Sequence, residues 1–283
     1  MKGNDMSGNT KIALVTGASS GIGADTALRL REAGHTVYGA ARRIERMTAL
    51  RDAGVRVLSL DVTDEDSIRK AIDTIIHESG RIDVLVNNAG YGSYGSLEDV
   101  PLAEARAQIE VNVFGLAHLT QLVLPHMRAR RSGTIINISS MGGKLVTPLG
   151  GWYHASKYAV EALSDALRME TKQFGINVVV VEPGSIRTEW GAIAAETLKE
   201  TSSKGAYANL AEGVATTLAA SSQPDAKMTS APSVIGKTIV KAAGARRPRT
   251  RYRVGFGAAP MMSLRRLLPD RAFDFVIRRA FGI

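Results

Sequence analysis

The chain has no cysteine among its 283 residues. That excludes disulfides, zinc thiolate sites, iron–sulfur clusters and a thiol nucleophile. An intracellular, cytoplasmic protein is the expectation. A signal peptide is also missing: Met1 to Thr10 is polar and Gly/Asn-rich, so residues 1–10 read as a disordered extension, with Met6 as an alternative start. No apolar run approaches the roughly 18 residues a membrane-spanning helix needs, the longest candidate being Ile176 to Val181. The five histidines (35, 77, 118, 126, 154) show no metal-ligand spacing, and His77-Glu78 lacks a second His four residues after the first, so no metal site is expected. His154 reads as a helix-surface residue. Neither a G-x-x-x-x-G-K-[ST] phosphate loop nor a G-x-S-x-G nucleophile elbow occurs.

What the chain does have is an ordinary globular balance, 45% hydrophobic and 22% charged, enough for one α/β domain. The net charge of +9 is unevenly placed. From Lys241 onward there are eleven Lys/Arg against Asp270 and Asp274, which leaves 25 of each sign in residues 1–240. The basic character therefore belongs to the tail. Apolar, β-rich runs at Ile12 to Thr16, Thr36 to Ala41, Val55 to Leu60, Val84 to Asn87, Thr134 to Ser139 and Ile176 to Glu182 read as strands buried on both faces of a parallel sheet. Helical patterns lie between them: Gly21 to Ala33, Asp64 to Glu78 opened by Thr63, Ala103 to Arg130, and Tyr153 to Phe174. The expected fold is α/β, a single Rossmann-type doubly wound parallel sheet flanked by helices, with ligands outside the carboxyl ends of its strands. The domain spans residues 11–255. Within it, residues 185–232 are Ala/Ser/Thr-rich and read as a lid, and residues 256–283 form a basic helical tail.

After the first strand comes Thr16-Gly-Ala-Ser-Ser-Gly-Ile-Gly23, leading into a helix. Glycines there let backbone N–H groups approach a pyrophosphate, and the helix N-terminus favours an anion. The spacing is G-x-x-x-G-x-G, not the common G-x-G-x-x-G. At the end of the second strand an NAD site places an acid for the ribose 2′-hydroxyl, whereas this chain has Ala41-Arg42-Arg43. A guanidinium fork suits a 2′-phosphate, and two solvated arginines are the alternative. Asp61 either accepts from an adenine amino group or caps the following helix.

Tyr153 and Lys157 stand four residues apart, one above the other on a helix face. A phenol titrates near 10, so acid–base work near neutrality needs its phenolate favoured by about 3 units, or about 4 kcal/mol. A fixed ammonium one turn away supplies such a bias.

Together, Thr16-Gly-x-x-x-Gly-Ile-Gly23, Asn87-Asn-Ala-Gly90, Tyr153-x-x-x-Lys157 and Pro183-Gly184 with Thr188 behind make the chain resemble the short-chain dehydrogenase/reductase family over roughly residues 10–255. The resemblance implies a catalytic tetrad of Asn112, a serine, Tyr153 and Lys157. Ser139 and Ser140 are adjacent, and the family's spacing to the tyrosine selects Ser140. In that scheme Ser140 bonds the substrate oxygen, Tyr153 moves the proton, Lys157 holds ribose hydroxyls and depresses the tyrosine pKa, and Asn112 holds a relaying water. The implied NADP(H) site runs over Gly17, Ser19, Ser20, Gly21, Ile22 and Gly23, then Arg42, Asp61 and Val62, then Asn88, Ala89 and Gly90, then Tyr153 and Lys157. It closes with Pro183, Gly184, Ile186 and Thr188.

Substrate walls are expected from Tyr91, Tyr94, Met141, Leu145, Leu149 and Trp190, with Ile186 and Ile193 in the lid. Their apolar, aromatic character suits a lipophilic ketone or secondary alcohol. The tail resembles that of steroid- and retinol-type members. The expected activity is NADP(H)-linked interconversion of a carbonyl and a secondary alcohol on a small molecule. Alternatives are a non-catalytic NADP(H)-binding regulator, which would be expected to have lost a tetrad residue, a 3-oxoacyl reductase-type activity, and epimerisation or dehydration. A homo-oligomer is expected, and no nucleic-acid partner. In the tail, Leu264, Leu267, Leu268, Phe273, Val276, Ile277 and Phe281 alternate with arginines, and Pro269 divides the segment into two short helices. Packing over the pocket or a subunit interface is the favoured role, and docking on an anionic membrane surface the alternative.

Overall fold

The computed structural model describes residues 10–282, so the proposed N-terminal extension, apart from Thr10, lies outside the described residues. Seven parallel strands form one sheet: β1 Ile12–Thr16, β2 Thr36–Ala41, β3 Arg56–Ser59, β4 Val84–Asn87, β5 Gly133–Ile138, β6 Ile176–Pro183 and β7 Arg251–Val254. Their order is β3-β2-β1-β4-β5-β6-β7, with the reversal beside β1 that opens a crevice between β1 and β4. The helices are α1 Gly21–Glu32, α2 Thr48–Asp52, α3 Glu65–Ser79, α4 Leu102–Ile109, α5 Leu116–Ala129 and α6 Gly151–Thr171. After them come α7 Trp190–Ser202, α8 Ala208–Ala220, α9 Ser233–Gly244, α10 Ala258–Leu267 and α11 Asp270–Ala280.

Two apolar layers sandwich the sheet. On one side Ala27 and Leu30 of α1 and Ile235, Ile239 and Ala242 of α9 pack on Val15, Val86, Ile136 and Val179. On the other, Ile68, Ile72 and Ile75 of α3 and Leu119, Val123 and Met127 of α5 cover Leu14, Leu85 and Ile135. Local signals set the helix ends. The Asp64 carboxylate accepts from Ser67 N at 3.0 Å, and Gly80 (φ +70°) ends α3 in the left-handed conformation.

Several details depart from the sequence reading. The cap of α3 is Asp64, because Thr63 instead donates its hydroxyl and amide to Asp61 Oδ1. The strand β3 is a half-exposed edge strand, not one buried on both faces. The long helix expected from Ala103 to Arg130 is two helices joined by a π-helical turn, Glu110–Gly115. Gly115 is needed where that turn meets β3's loop, since a Cβ there would stand 2.6 Å from Val62 O. The segment expected as a lid contains the packed helices α7 and α8, whose seam is built from Ala194, Ala195, Leu198, Ala211, Val214, Ala215 and Leu218. Small residues let the two backbones approach closely, and their low hydrophobic contrast hides the helices in sequence.

The tail folds as two helices with Pro269 between them. Phe273 and Ile277 of α11 pack with Met262 of α10 against Leu145 on the loop before α6. No helix among the described residues is long and apolar enough to cross a membrane.

Candidate active site

A groove of about 730 Å³ runs along the carboxyl ends of the strands. Its floor at the β1–α1 turn is possible only with glycine. A Cβ on Gly23 would lie 2.3 Å from Gly17 O, and one on Gly17 (φ +65°) would lie 2.9 Å from Asn88 Nδ2. Asn88 fixes this turn from β4, donating Nδ2 to Thr16 O at 2.9 Å, while the Asn88 and Ala89 amides donate to Thr16 Oγ1 at 3.1 and 3.0 Å. Ser20 precedes α1 without a side-chain cap, so the helix's first N–H groups stay free for an anion. Ser19, Ser20, Gly21, Ile22, Arg42, Asp61, Val62, Gly90, Pro183, Gly184, Ile186 and Thr188 all line the same groove. Arg42 is exposed at the end of β2, where no acid stands beside it. A further ion pair, Arg46 to Glu189 at 2.6 Å, joins the segment after β2 to the start of α7.

The tetrad candidates converge at the other end. Ser139, Ser140, Tyr153 and Lys157 all line the groove. Ser140 Oγ accepts from Gly142 N at 2.9 Å. Ser139 Oγ lies 2.8 Å from where a Gly143 Cβ would be and has no partner among the described residues. Lys157 Nζ donates to Ile138 O at 2.9 Å and stands 6.0 Å from the Tyr153 ring centroid. Asn112, on the π turn, clasps the Tyr91 backbone: Nδ2 donates to Tyr91 O at 2.9 Å and Oδ1 accepts from Tyr91 N at 3.0 Å. Its Nδ2 also reaches Ser156 Oγ at 3.0 Å. Turns of this kind commonly mark functional positions.

The electrostatics correct one expectation. Burial pushes the Tyr153 phenol up to about 12, with the Ser140 hydrogen bond pulling the other way. Lys157 Nζ stands 6.0 Å from the ring centroid, and burial sets the direction of the phenol's shift in the protein alone. Burial also brings Lys157 down to about 8, opposed by the charge of Glu161.

The expected pocket wall divides. Trp190 and Tyr91 line the groove, and the Trp190 ring sits 5.0 Å from that of Tyr153. Tyr94 and Leu149 lie behind this pair in the lid's core, with Tyr94 5.9 Å from Tyr153. Met141 and Leu145 face the tail instead, because α10 and α11 cover that side of the loop. His154 is buried, not on the surface. Its Nε2 accepts from Thr147 N at 2.9 Å, so Nδ1 carries the proton donated to Gly142 O at 3.0 Å. The ring thereby pins the loop between Ser140 and Tyr153, and burial lowers its pKa. Residues that motif reading passed over are Glu189, Ser156 and Glu161. Only Glu161 had a signal, four positions after Lys157 on the same helix face.

No group of three or more His, Cys, Asp or Glu residues suited to a metal occurs among the described residues. The groove instead offers uncapped amides, a glycine-only turn and exposed arginines, a donor set that fits a dinucleotide.

Comparison with known proteins agrees with this geometry. The chain belongs to the short chain dehydrogenase family, matching it over residues 11–199, and is thus an oxidoreductase of that class. Among its relatives is the 3-ketodihydrosphingosine reductase of Bacteroides thetaiotaomicron, 47% identical over 178 residues. That match spans 63% of this chain and 65% of the relative. The structure of a short-chain dehydrogenase from Streptomyces avermitilis is 36% identical, with a TM-score of 0.78 over 90% of this chain and 92% of that one. A metagenomic short-chain oxidoreductase solved in complex with NADP is 30% identical, with a TM-score of 0.68 over 86% and 96% of the two chains.

Proposed function

We propose that this protein is an NADP(H)-dependent oxidoreductase that interconverts a carbonyl and a secondary alcohol on a lipophilic substrate. The observation that carries the reading is the meeting of Ser140, Tyr153 and Lys157 in the groove that also holds the glycine turn. A bound nicotinamide supplies or accepts the hydride. The chain does the rest: Ser140 donates a hydrogen bond to the substrate oxygen, and Tyr153 gives that oxygen its proton in reduction or takes it in oxidation. Lys157 holds the ribose hydroxyls. Its ammonium would also favour negative charge developing on the phenol by opposite-charge attraction.

Arg42 supports NADP(H) over NAD(H), since a guanidinium matches a 2′-phosphate and no carboxylate stands there to repel it. The relative solved with NADP is consistent with that choice. Trp190, Ile186 and Ile193 give the substrate end an apolar lining. The relative named for 3-ketodihydrosphingosine makes a long-chain ketone the first substrate to try.

The test is loss of NADPH absorbance against steroid, retinoid, aromatic and long-chain aliphatic ketones. Tyr153→Phe is expected to lose at least about 100-fold in turnover, a typical general acid–base contribution, while NADPH affinity stays nearly intact. Lys157→Met is expected to damage both. Wild-type turnover in Tyr153→Phe would remove the phenol from the mechanism.

A further inference from the structure

Behind the groove lies a buried charge cluster that the proposed chemistry does not use. Glu161 of α6 and Glu182 of β6 are 3% and 0% exposed. Glu161 Oε2 accepts from Lys144 Nζ at 3.0 Å and from Arg251 Nη2 and Nε at 3.0 and 3.1 Å. Glu182 is more loosely held, its oxygens 3.5 Å from Arg251 Nε and 3.6 Å from Arg253 Nε. Arg251 also takes Asp165 at 2.7 Å. Three carboxylate oxygens, Glu161 Oε1 and both of Glu182, find no hydrogen-bond partner among the described residues. Such groups are rare in interiors and call for a reason.

The cluster's position supplies one. Glu161 is one helical turn from Lys157. A Cβ on Gly143 would stand 2.8 Å from Ser139 Oγ, 3.0 Å from Glu161 Cγ and 3.0 Å from Lys157 O, so a glycine there lets the carboxylate close against the back of the site. On its groove side Lys157 has Ile138 O, the Gly90 backbone, neutral Asn112 beyond it and the neutral Tyr153 ring. None of these is a negative charge. We propose that Glu161 is a positioning residue for Lys157, its buried carboxylate a negative charge behind the lysine for which Lys144 and Arg251 compete.

The charges facing Glu161 come from every neighbouring element: Lys144 from the loop after β5, Lys157 and Asp165 from α6, Glu182 from β6 and Arg251 from β7. Burial and the charge of Glu161 push the Glu182 carboxyl up, while the charge of Glu161 raises Lys157 against its burial. Arg251 belongs to the chain just before the tail, so β7 and the lysine are linked through a single carboxylate.

The test is the titration of Lys157 in the full chain without ligand, by NMR of 13Cε-labelled lysine, assigned with Lys157→Met. Glu161→Gln is expected to move the midpoint down by about one unit, as loss of a partly compensated neighbouring charge does. Arg251→Gln, which removes a competing cation, is expected to move it up. Glu161→Asp is expected to restore most of the wild-type value. Loss of packing alone would not shift the two variants in opposite senses. An unchanged midpoint in Glu161→Gln, or shifts of one sign in both variants, overturns the proposal, and Arg251→Gln decides it alone should Glu161→Gln not fold. The inference rests on the proposed role of Lys157 only for its effect on turnover. The titration moves or fails to move whether or not the protein reduces carbonyls.

Discussion

Replacing Asn112 by Ala tests how the π turn builds the site. The side chain is 1% exposed and makes three hydrogen bonds, two to Tyr91 O and N and one to Ser156 Oγ. Ser156 keeps a partner after the change, since its hydroxyl donates to Tyr153 O at 2.7 Å. The Tyr91 N–H and C=O lose the Asn112 partner. Each orphaned group costs about 1–2 kcal/mol, so the variant is expected to lose about 3 kcal/mol of stability. Urea unfolding with an unchanged m-value measures it. Ser156→Ala, which leaves both Tyr91 groups bonded, is expected to lose only about 1 kcal/mol. A loss below about 1 kcal/mol in Asn112→Ala would refute the clasp.

Three further outcomes follow from the site. Arg42→Asp is expected to reverse the NADPH-over-NADH preference in binding titrations, and tighter NADH binding by the unmodified protein would count against the 2′-phosphate reading. Ser140→Ala is expected to lower kcat by roughly 100-fold or more, with Ser139→Ala close to wild type. The reverse ranking would mean that the other serine faces the substrate. His154 is buried neutral with its pKa lowered, so the folded state binds fewer protons than the unfolded one. Its contribution is complete above the unfolded value of 6.5 and is lost as pH falls below it. Wild type is therefore expected to lose more unfolding free energy between neutral pH and about pH 5 than His154→Gln does, measured by denaturant titration at both.

Much of this was legible in the sequence because it is carried by local chemistry. The strands β1, β2 and β4 fall where apolar β-rich runs begin and end, and Gly17, Gly21 and Gly23 announce a turn that other residues cannot make. The serines after β5 both border the groove, with the Ser140 hydroxyl on Gly142 N and that of Ser139 beside Gly143. The failures share a cause, which is that the partner lies outside the local pattern, whether a few residues away or far along the chain. Met141 and Leu145 look like pocket walls until α11, more than a hundred residues later, covers them. His154 looks like a surface residue until the loop at Gly142 and Thr147 folds back over it. The π turn brings Gly115 against the loop after β3, a contact that no local pattern announces.

The packing of α11 on Leu145 also has a consequence for vectorial synthesis. Ribosomes deliver the chain N-terminus first, so Ser140, Tyr153 and the loop between them emerge well before Phe273 and Ile277 exist to cover it. Until the last helix is free, a nascent chain carries Leu145 uncovered, and a product ending before residue 258 lacks both Met262 and α11 and keeps that apolar surface permanently. The loop between Ser140 and Tyr153 thus gains its apolar cover only once α11 has been made, and a product that stops short of α10 and α11 leaves Leu145 without it.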